Sequence, residues 1–380
     1  MIRLSAELLD FQRTARRFAE REIAPSALEW DDHPDRFPWE AMRKGGEAGL
    51  LSFHLPAAGE TEPAFPGLLP PAILIEELAA ACAGTAMIFA GHLLATWTLF
   101  QAEGSGASRF LAPLLESPAA ERPALAGLAW QETEPGRIMT IATATAQGWV
   151  VNGRKRLVRS GNLAGLVLVM VQVASEPEPK GLGLAVVPAG SPGFSVEKVE
   201  RMLGNRICPM AELLFEDCRI PPENLIGRGR AEEILEGALA YASGLSAAAA
   251  IGATRGAFET ALRYAGERYQ GGRIIIEHDA VAEMLANMEV RLHAARAGLW
   301  QACAEAKPSR AELAKAKIFA SEAGVDTCLD AVQVLGGYGY MHESGQEKRL
   351  RDVQMACHYE ETNQALRRLI LRESRKGREI

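Results

Sequence analysis

Cysteine is sparse and scattered in this chain: Cys82, Cys208, Cys218, Cys303, Cys328 and Cys357 form no close pair. That argues against a disulfide framework and against a thiolate metal site, and reads as reduced core or surface thiols. The seven histidines make no HxxxH or HExxH spacing, so no metal is expected. Positive charge is not in excess: 41 Lys and Arg stand against 48 Asp and Glu, and the net charge of −7 argues against nucleic acid as a partner. The opening MIRLSAELLDFQRTARRFAE mixes acids and bases without an apolar run, so neither a signal peptide nor a membrane contact is expected. A cytoplasmic location follows as the expectation. Proline, finally, is missing between Pro222 and Pro308 and again after Pro308.

What is present divides the 380 residues into three textures. Leu4, Leu8, Phe11, Ala15 and Phe18 recur at three and four residues, predicting an amphipathic helix that Pro25 closes. A second helix follows Pro38, and residues 71–100 are apolar helix material broken near Gly84. From Pro123 to Pro222 the pattern turns to strands: LVLVMVQVA, GLGLAVVP and AELLFEDCRIP, with Asn152-Gly153 as a hairpin turn. The proline-free remainder is rich in alanine, the best helix former, with a Ser309/Glu312 capping box opening one of its helices. The predicted architecture is an N-terminal α-helical domain (1–120), a central β-domain of the sandwich or small-barrel kind (121–226) and a C-terminal four-helix bundle (227–380).

One short stretch carries a chemical question. In CHYEETNQALRRLI, residues 357–370, Glu360 and Glu361 precede an amphipathic run whose N-cap is Thr362 or Asn363. Paired acids at a helix start are favoured by the helix dipole, and one of them could equally be a general base. Three other strings accompany them in order: TEPG at 133–136, FEDCRIPPENLIG at 215–227 and QVLGGYGY at 333–340. With YEET at 359–362, in this order and spacing, the chain resembles the acyl-CoA dehydrogenases over essentially its full length.

That resemblance implies FAD-dependent α,β-dehydrogenation of an acyl-CoA thioester, with a carboxylate taking the α-proton and flavin N5 the β-hydride. Glu360 matches the family's catalytic glutamate, and Tyr359 and Glu361 beside it match substrate-facing positions. The stretch where other members carry the base, LAYASGLSAAAA at 239–250, has no acid. For the cofactor, Gln333, Gly336 and Gly337 match contacts to the adenosine-diphosphate portion, and Arg268 matches an arginine that pairs with the pyrophosphate. Trp130 and Thr133 match positions that pack against and hydrogen-bond the isoalloxazine, and Thr362 matches a further cofactor contact. The acyl tail would pass Ala86, Met87 and Ala90. An electron-transfer flavoprotein as electron acceptor and a homo-oligomer, tetramer or dimer, are likewise implied.

The chain also departs from the family where cofactor and substrate would sit. TEPG continues as RIMT without the usual serine, and the family's WIT is Leu157-Val158-Arg159. An aromatic platform is thus aliphatic, and a hydroxyl is a guanidinium. The aromatic expected after the interface arginine is Gly271, the charged coenzyme A contacts align with Ala240 and Ser243, and Glu361 stands where glycine is common. Three readings accommodate this: an active enzyme in which Arg159 compensates for lost flavin contacts, a flavin-poor subunit of a hetero-oligomer, or a non-catalytic scaffold.

Overall fold

The computed structural model describes residues 2–56, 60, 62–115, 120–134, 136–174 and 181–376. Six helices come first: α1 (Ala6–Phe18), α2 (Ala27–Asp32), α3 (Trp39–Glu47), α4 (Leu69–Ala81), α5 (Ala83–Glu103) and α6 (Ser108–Leu115). Pro25 does not end the first of them. A π-helical turn over Ala19–Ile23 and a 3-10 turn over Ala24–Ser26 carry the chain into α2, because a proline is tolerated in the first turn of a new helical segment. The break between α4 and α5 falls at Cys82, which is extended, rather than at Gly84. Gly84 serves packing instead: a methyl group there would lie 2.7 Å from Ile207 Cγ2.

Eight strands follow: β1 (Leu125–Ala129), β2 (Ile141–Thr145), β3 (Gly148–Arg159), β4 (Ala164–Ala174), β5 (Leu182–Pro188), β6 (Phe194–Val199), β7 (Met210–Ile220) and β8 (Leu225–Ile226). They join in one sheet ordered β6-β7-β3-β2-β4-β5-β8, with β1 paired parallel to β4. The apolar run of β4 is explained by burial on both faces. Leu166, Leu168 and Met170 enter the core shared with the helices, whereas Val167, Val169 and Val171 enter the β-domain's own core. Asn152-Gly153 lies inside β3 and is not the hairpin turn. Gly153, at φ +146°, marks an irregularity in the β3–β7 register and lets Thr140 approach so closely that a methyl group would meet its Cα at 2.6 Å.

The C-terminal part holds α7 (Ala231–Glu267), a short hairpin of β9 (Tyr269–Gln270) and β10 (Arg273–Ile274), α8 (Asp279–Cys303), α9 (Arg310–Leu335), α10 (Gln346–Met355) and α11 (Asn363–Lys376). Ser309 is the N-cap residue of α9 but its side chain makes no capping bond, and Glu312 pairs with Lys315 at 2.5 Å. The capping box is therefore not formed. Small residues on α7 allow α4 to lie against it, and α5 is buried almost all round. His92 of α5 accepts from the Ala126 N–H at 3.1 Å, fastening the helical layer to β1. Burial pushes this imidazole down to about 4, so it stays neutral and able to accept.

Candidate active site

Glu360 lies in the turn between α10 and α11, and that turn is strained. The Glu361 N–H donates to the Tyr359 carbonyl at 2.7 Å, closing a γ-turn around a residue with φ +56°. A γ-turn with positive φ at its centre is the rare, strained form. Non-glycine residues with positive φ number five among the described residues, and three of them, Leu157, Ser160 and Glu360, belong to this one locality. Strain of this kind persists only where the surroundings hold it, and here the holding groups can be named. Lys317 of α9, 1% exposed, donates to the carbonyls of both Tyr359 (2.9 Å) and Glu361. Gln131 Nε2 donates to the carbonyl of Glu360 between them at 2.7 Å. Three consecutive carbonyls are thus fixed from two domains.

The positive φ turns the two glutamates apart. Glu360 enters the β-domain side, where its Oε2 accepts from Trp130 Nε1 at 2.8 Å and its Oε1 is paired with Arg159. Glu361 goes the other way, to a two-oxygen pair with Arg310 at 2.9 Å to each. Arg310 is also paired with Glu236. Arg159 closes β3, is 4% exposed, and lies over the Tyr359 ring at 4.2 Å. Tyr359 is itself buried, and its hydroxyl donates to Met210 Sδ at 3.3 Å. Burial pushes that phenol well above its ordinary value, so it stays a neutral donor.

The tail-lining positions Ala86, Met87 and Ala90 are buried on α5. Met87 and Tyr359 share a cavity of about 10 Å³ with Ala83, Ser246, Ala249 and Ala356, room for about one water. Ala240 and Ser243 are buried within the helix packing. Leu157, at φ +52°, is 39% exposed at a bulge of β3, and Thr133 is exposed just beyond Trp130; Pro135 of TEPG lies outside the described residues. Thr362 is exposed and accepts from the Ala365 N–H at 3.2 Å, so it caps α11. Of the cofactor positions, Arg268, Gly336 and Gly337 come together in an open groove of about 640 Å³ that also holds Tyr264 and Tyr338. Gln333 is exposed one turn before it on α9. Gly336 has φ +58°, and a methyl group on either glycine would project into open space. Bare backbone opposite a cationic side chain fits the phosphates of a dinucleotide.

Sequence reasoning passed over Lys317, Gln131, Arg310 and the buried Lys155–Glu132 pair at 2.5 Å. One signal was there for Lys317: it falls on the stripe of Leu313, Ala314, Ala320 and Ser321, a lysine in core register. Burial pushes its ammonium down from 10.5 to about 8, against the opposing pull of Glu360 and Glu361. The folded value is the lower one, so the unfolded chain binds more protons between those limits, and this residue's contribution to stability rises with pH from about 8 to 10.5. Denaturant unfolding of the wild type and of Lys317→Met should therefore diverge above pH 8, in favour of the wild type, by about 1.4 kcal/mol per pH unit. A constant difference across that range would show that Lys317 is not desolvated as described.

Three helical, sheet and helical units with a carboxylate at their junction define the class. The chain belongs to the acyl-CoA dehydrogenase family, flavin-dependent oxidoreductases: the family's N-terminal, middle and C-terminal domain models match residues 5–115, 131–218 and 231–374. It is 31% identical over 367 residues to the short-chain specific acyl-CoA dehydrogenase of Clostridium acetobutylicum, covering 94% of this chain and 95% of that one. It is 33% identical over 391 residues to the cyclohex-1-ene-1-carbonyl-CoA dehydrogenase of Syntrophus aciditrophicus, covering 97% and 89%. The fold matches butyryl-CoA dehydrogenase from Megasphaera elsdenii at a TM-score of 0.90, with 24% identity over 98% of this chain and 99% of the other.

Proposed function

We propose that the chain carries out α,β-dehydrogenation of an acyl-CoA thioester, with Glu360 taking the α-proton. The observation that carries this reading is a partly buried carboxylate on a strained turn, fixed by donors from two domains. Such a turn holds a base at one position and orientation, which is what proton transfer at carbon requires. Trp130 orients Oε2, while the pair with Arg159 on Oε1 must open before that oxygen can accept a proton. The cavity at Met87 and Tyr359 is the place for the acyl tail to widen, since Met87 is flexible and its neighbours are small.

Bound FAD would supply the acceptor for the β-hydride. Arg268, Gly336, Gly337 and Gln333 would hold its adenosine-diphosphate portion, and Trp130, Thr133 and Leu157 would border the ring. Exposed Tyr338 lines the same groove, and Tyr269, Tyr340 and Met341, close to its lining residues in sequence, are exposed as well, which supports a homo-oligomer meeting there. An electron-transfer flavoprotein would receive the electrons, as in other members of the family. The second reading, a flavin-poor subunit of a hetero-oligomer, is favoured by the aliphatic Leu157 and by the occupation of Glu360 by Arg159. The chain purified alone decides between them: a yellow protein with one flavin per chain is expected, and a colourless one supports the hetero-oligomer.

A further inference from the structure

Arg159 is buried, yet it uses only part of its donor set. One terminal nitrogen is paired with Glu360, while Nε and the other terminal nitrogen are buried with no hydrogen-bond partner. Buried donors without acceptors are costly, and a guanidinium offers them in a fixed fork suited to carboxylates. Nor is the placement incidental. Gly91 of α5 leaves the room for the side chain, since a methyl group there would come within 2.8 Å of Arg159 Cδ, and the Tyr359 ring floors it.

We propose that Arg159 is a specificity-determining residue that binds an anionic group carried by the acyl chain close to the reacting carbons. This rests on Glu360 being the base. Guanidinium nitrogens stand about 2.3 Å apart and each adds a hydrogen bond of about 2.9 Å. An acceptor on the free donors would therefore lie roughly 3–5 Å from the Glu360 carboxylate, within about three bonds of the α-carbon. A short acyl chain ending in a carboxylate satisfies this; one whose carboxylate is far down a long chain does not.

The same geometry couples recognition to the release of the Glu360 carboxylate. With a neutral acyl group, Arg159 stays on Glu360 and keeps Oε1 occupied. A substrate carboxylate competes for the guanidinium and so can draw it away from Oε1. Binding of the anionic acyl group thus frees Glu360 for the proton it must take.

The test uses matched pairs on the purified flavin-loaded chain: butyryl-CoA against succinyl-CoA, and pentanoyl-CoA against glutaryl-CoA. Binding is read by calorimetry, α-proton exchange by deuterium uptake, and flavin content alongside. The carboxylate member should bind roughly 10- to 100-fold tighter in the wild type. Arg159→Gln should bring that ratio near one, Arg159→Lys should keep part of it, and Gly91→Ala, which displaces the arginine without removing its charge, should also lower it. Equal binding within each pair in the wild type, or a ratio that survives Arg159→Gln, overturns the proposal. Loss of flavin in Arg159→Gln overturns it too, by making the residue a cofactor contact. Tighter binding of the carboxylate members without α-proton exchange for any acyl-CoA would instead sink the reading of Glu360 and leave Arg159 as the anion site.

Discussion

Glu360→Gln is expected to abolish exchange of the substrate α-proton with solvent, a loss on the order of 10²–10⁴ in rate, whereas Glu361→Gln leaves most of it. The two residues are adjacent, but the γ-turn sends them to different surroundings. Glu360 meets Trp130 and Arg159 between the domains, and Glu361 is taken up by Arg310 on α9. The glutamine at 360 leaves the buried Arg159 guanidinium without its paired charge, so some stability is lost with the activity. Thermal unfolding of both variants separates that cost from the chemistry: a folded Glu360→Gln that still binds acyl-CoA yet exchanges no proton has lost the base alone. Equal losses from both variants would show that the assignment of a single base is wrong.

Gly252→Ala should destabilise the fold by about 3 kcal/mol or more, although alanine is the better helix former by about 1 kcal/mol. The reason is the contact between α7 and α4. A methyl group on Gly252 would stand 2.3 Å from the Glu76 carbonyl oxygen and 2.7 Å from the Ala79 Cβ, and one on Gly256 would stand 2.4 Å from the Ala80 carbonyl oxygen. The two carbonyl oxygens belong to helical backbone and the Ala79 methyl is fixed directly to it, so none of these atoms has a rotamer to move aside. A shift of α4 would also disturb the buried carboxylates it carries: Glu76, paired with Arg296 at 2.7 Å, and Glu77, paired with Arg255 at 2.6 Å. Urea unfolding measures the effect, and a neutral or stabilising Gly252→Ala would contradict the packing described.

The legible parts of this molecule are those set by local pattern. Alanine-rich, proline-free stretches became α7 to α9, the apolar run of β4 became a strand buried on both faces, and Thr362 became the cap of α11. Errors arose where one residue type serves two purposes. Gly84 and Gly153 look like a break and a turn, but they are close-approach positions whose neighbours, Ile207 and Thr140, come from elsewhere in the chain. Pro25 looks like a stop and acts as the start of the next segment.

At the site, the residue types were legible and the pairings were not. Glu360, Trp130 and Arg159 could each be picked out from a string, but nothing in the sequence says that Trp130 and Arg159 both bind Glu360 across more than 200 positions. Likewise Lys317 and Gln131 act through backbone carbonyls, which leave no signature in residue identity. The strain at Glu360 arises from the same tertiary contacts and could not be foreseen.

The most direct measurement is an anaerobic titration of the purified chain with a panel of acyl-CoAs, following the visible absorption of its flavin. At least one acyl-CoA should bleach the flavin stoichiometrically, and Glu360→Gln, at equal flavin content, should not bleach. A yellow protein that no acyl-CoA bleaches, or a Glu360→Gln chain that bleaches as readily as the wild type, would contradict the proposed α,β-dehydrogenation through Glu360.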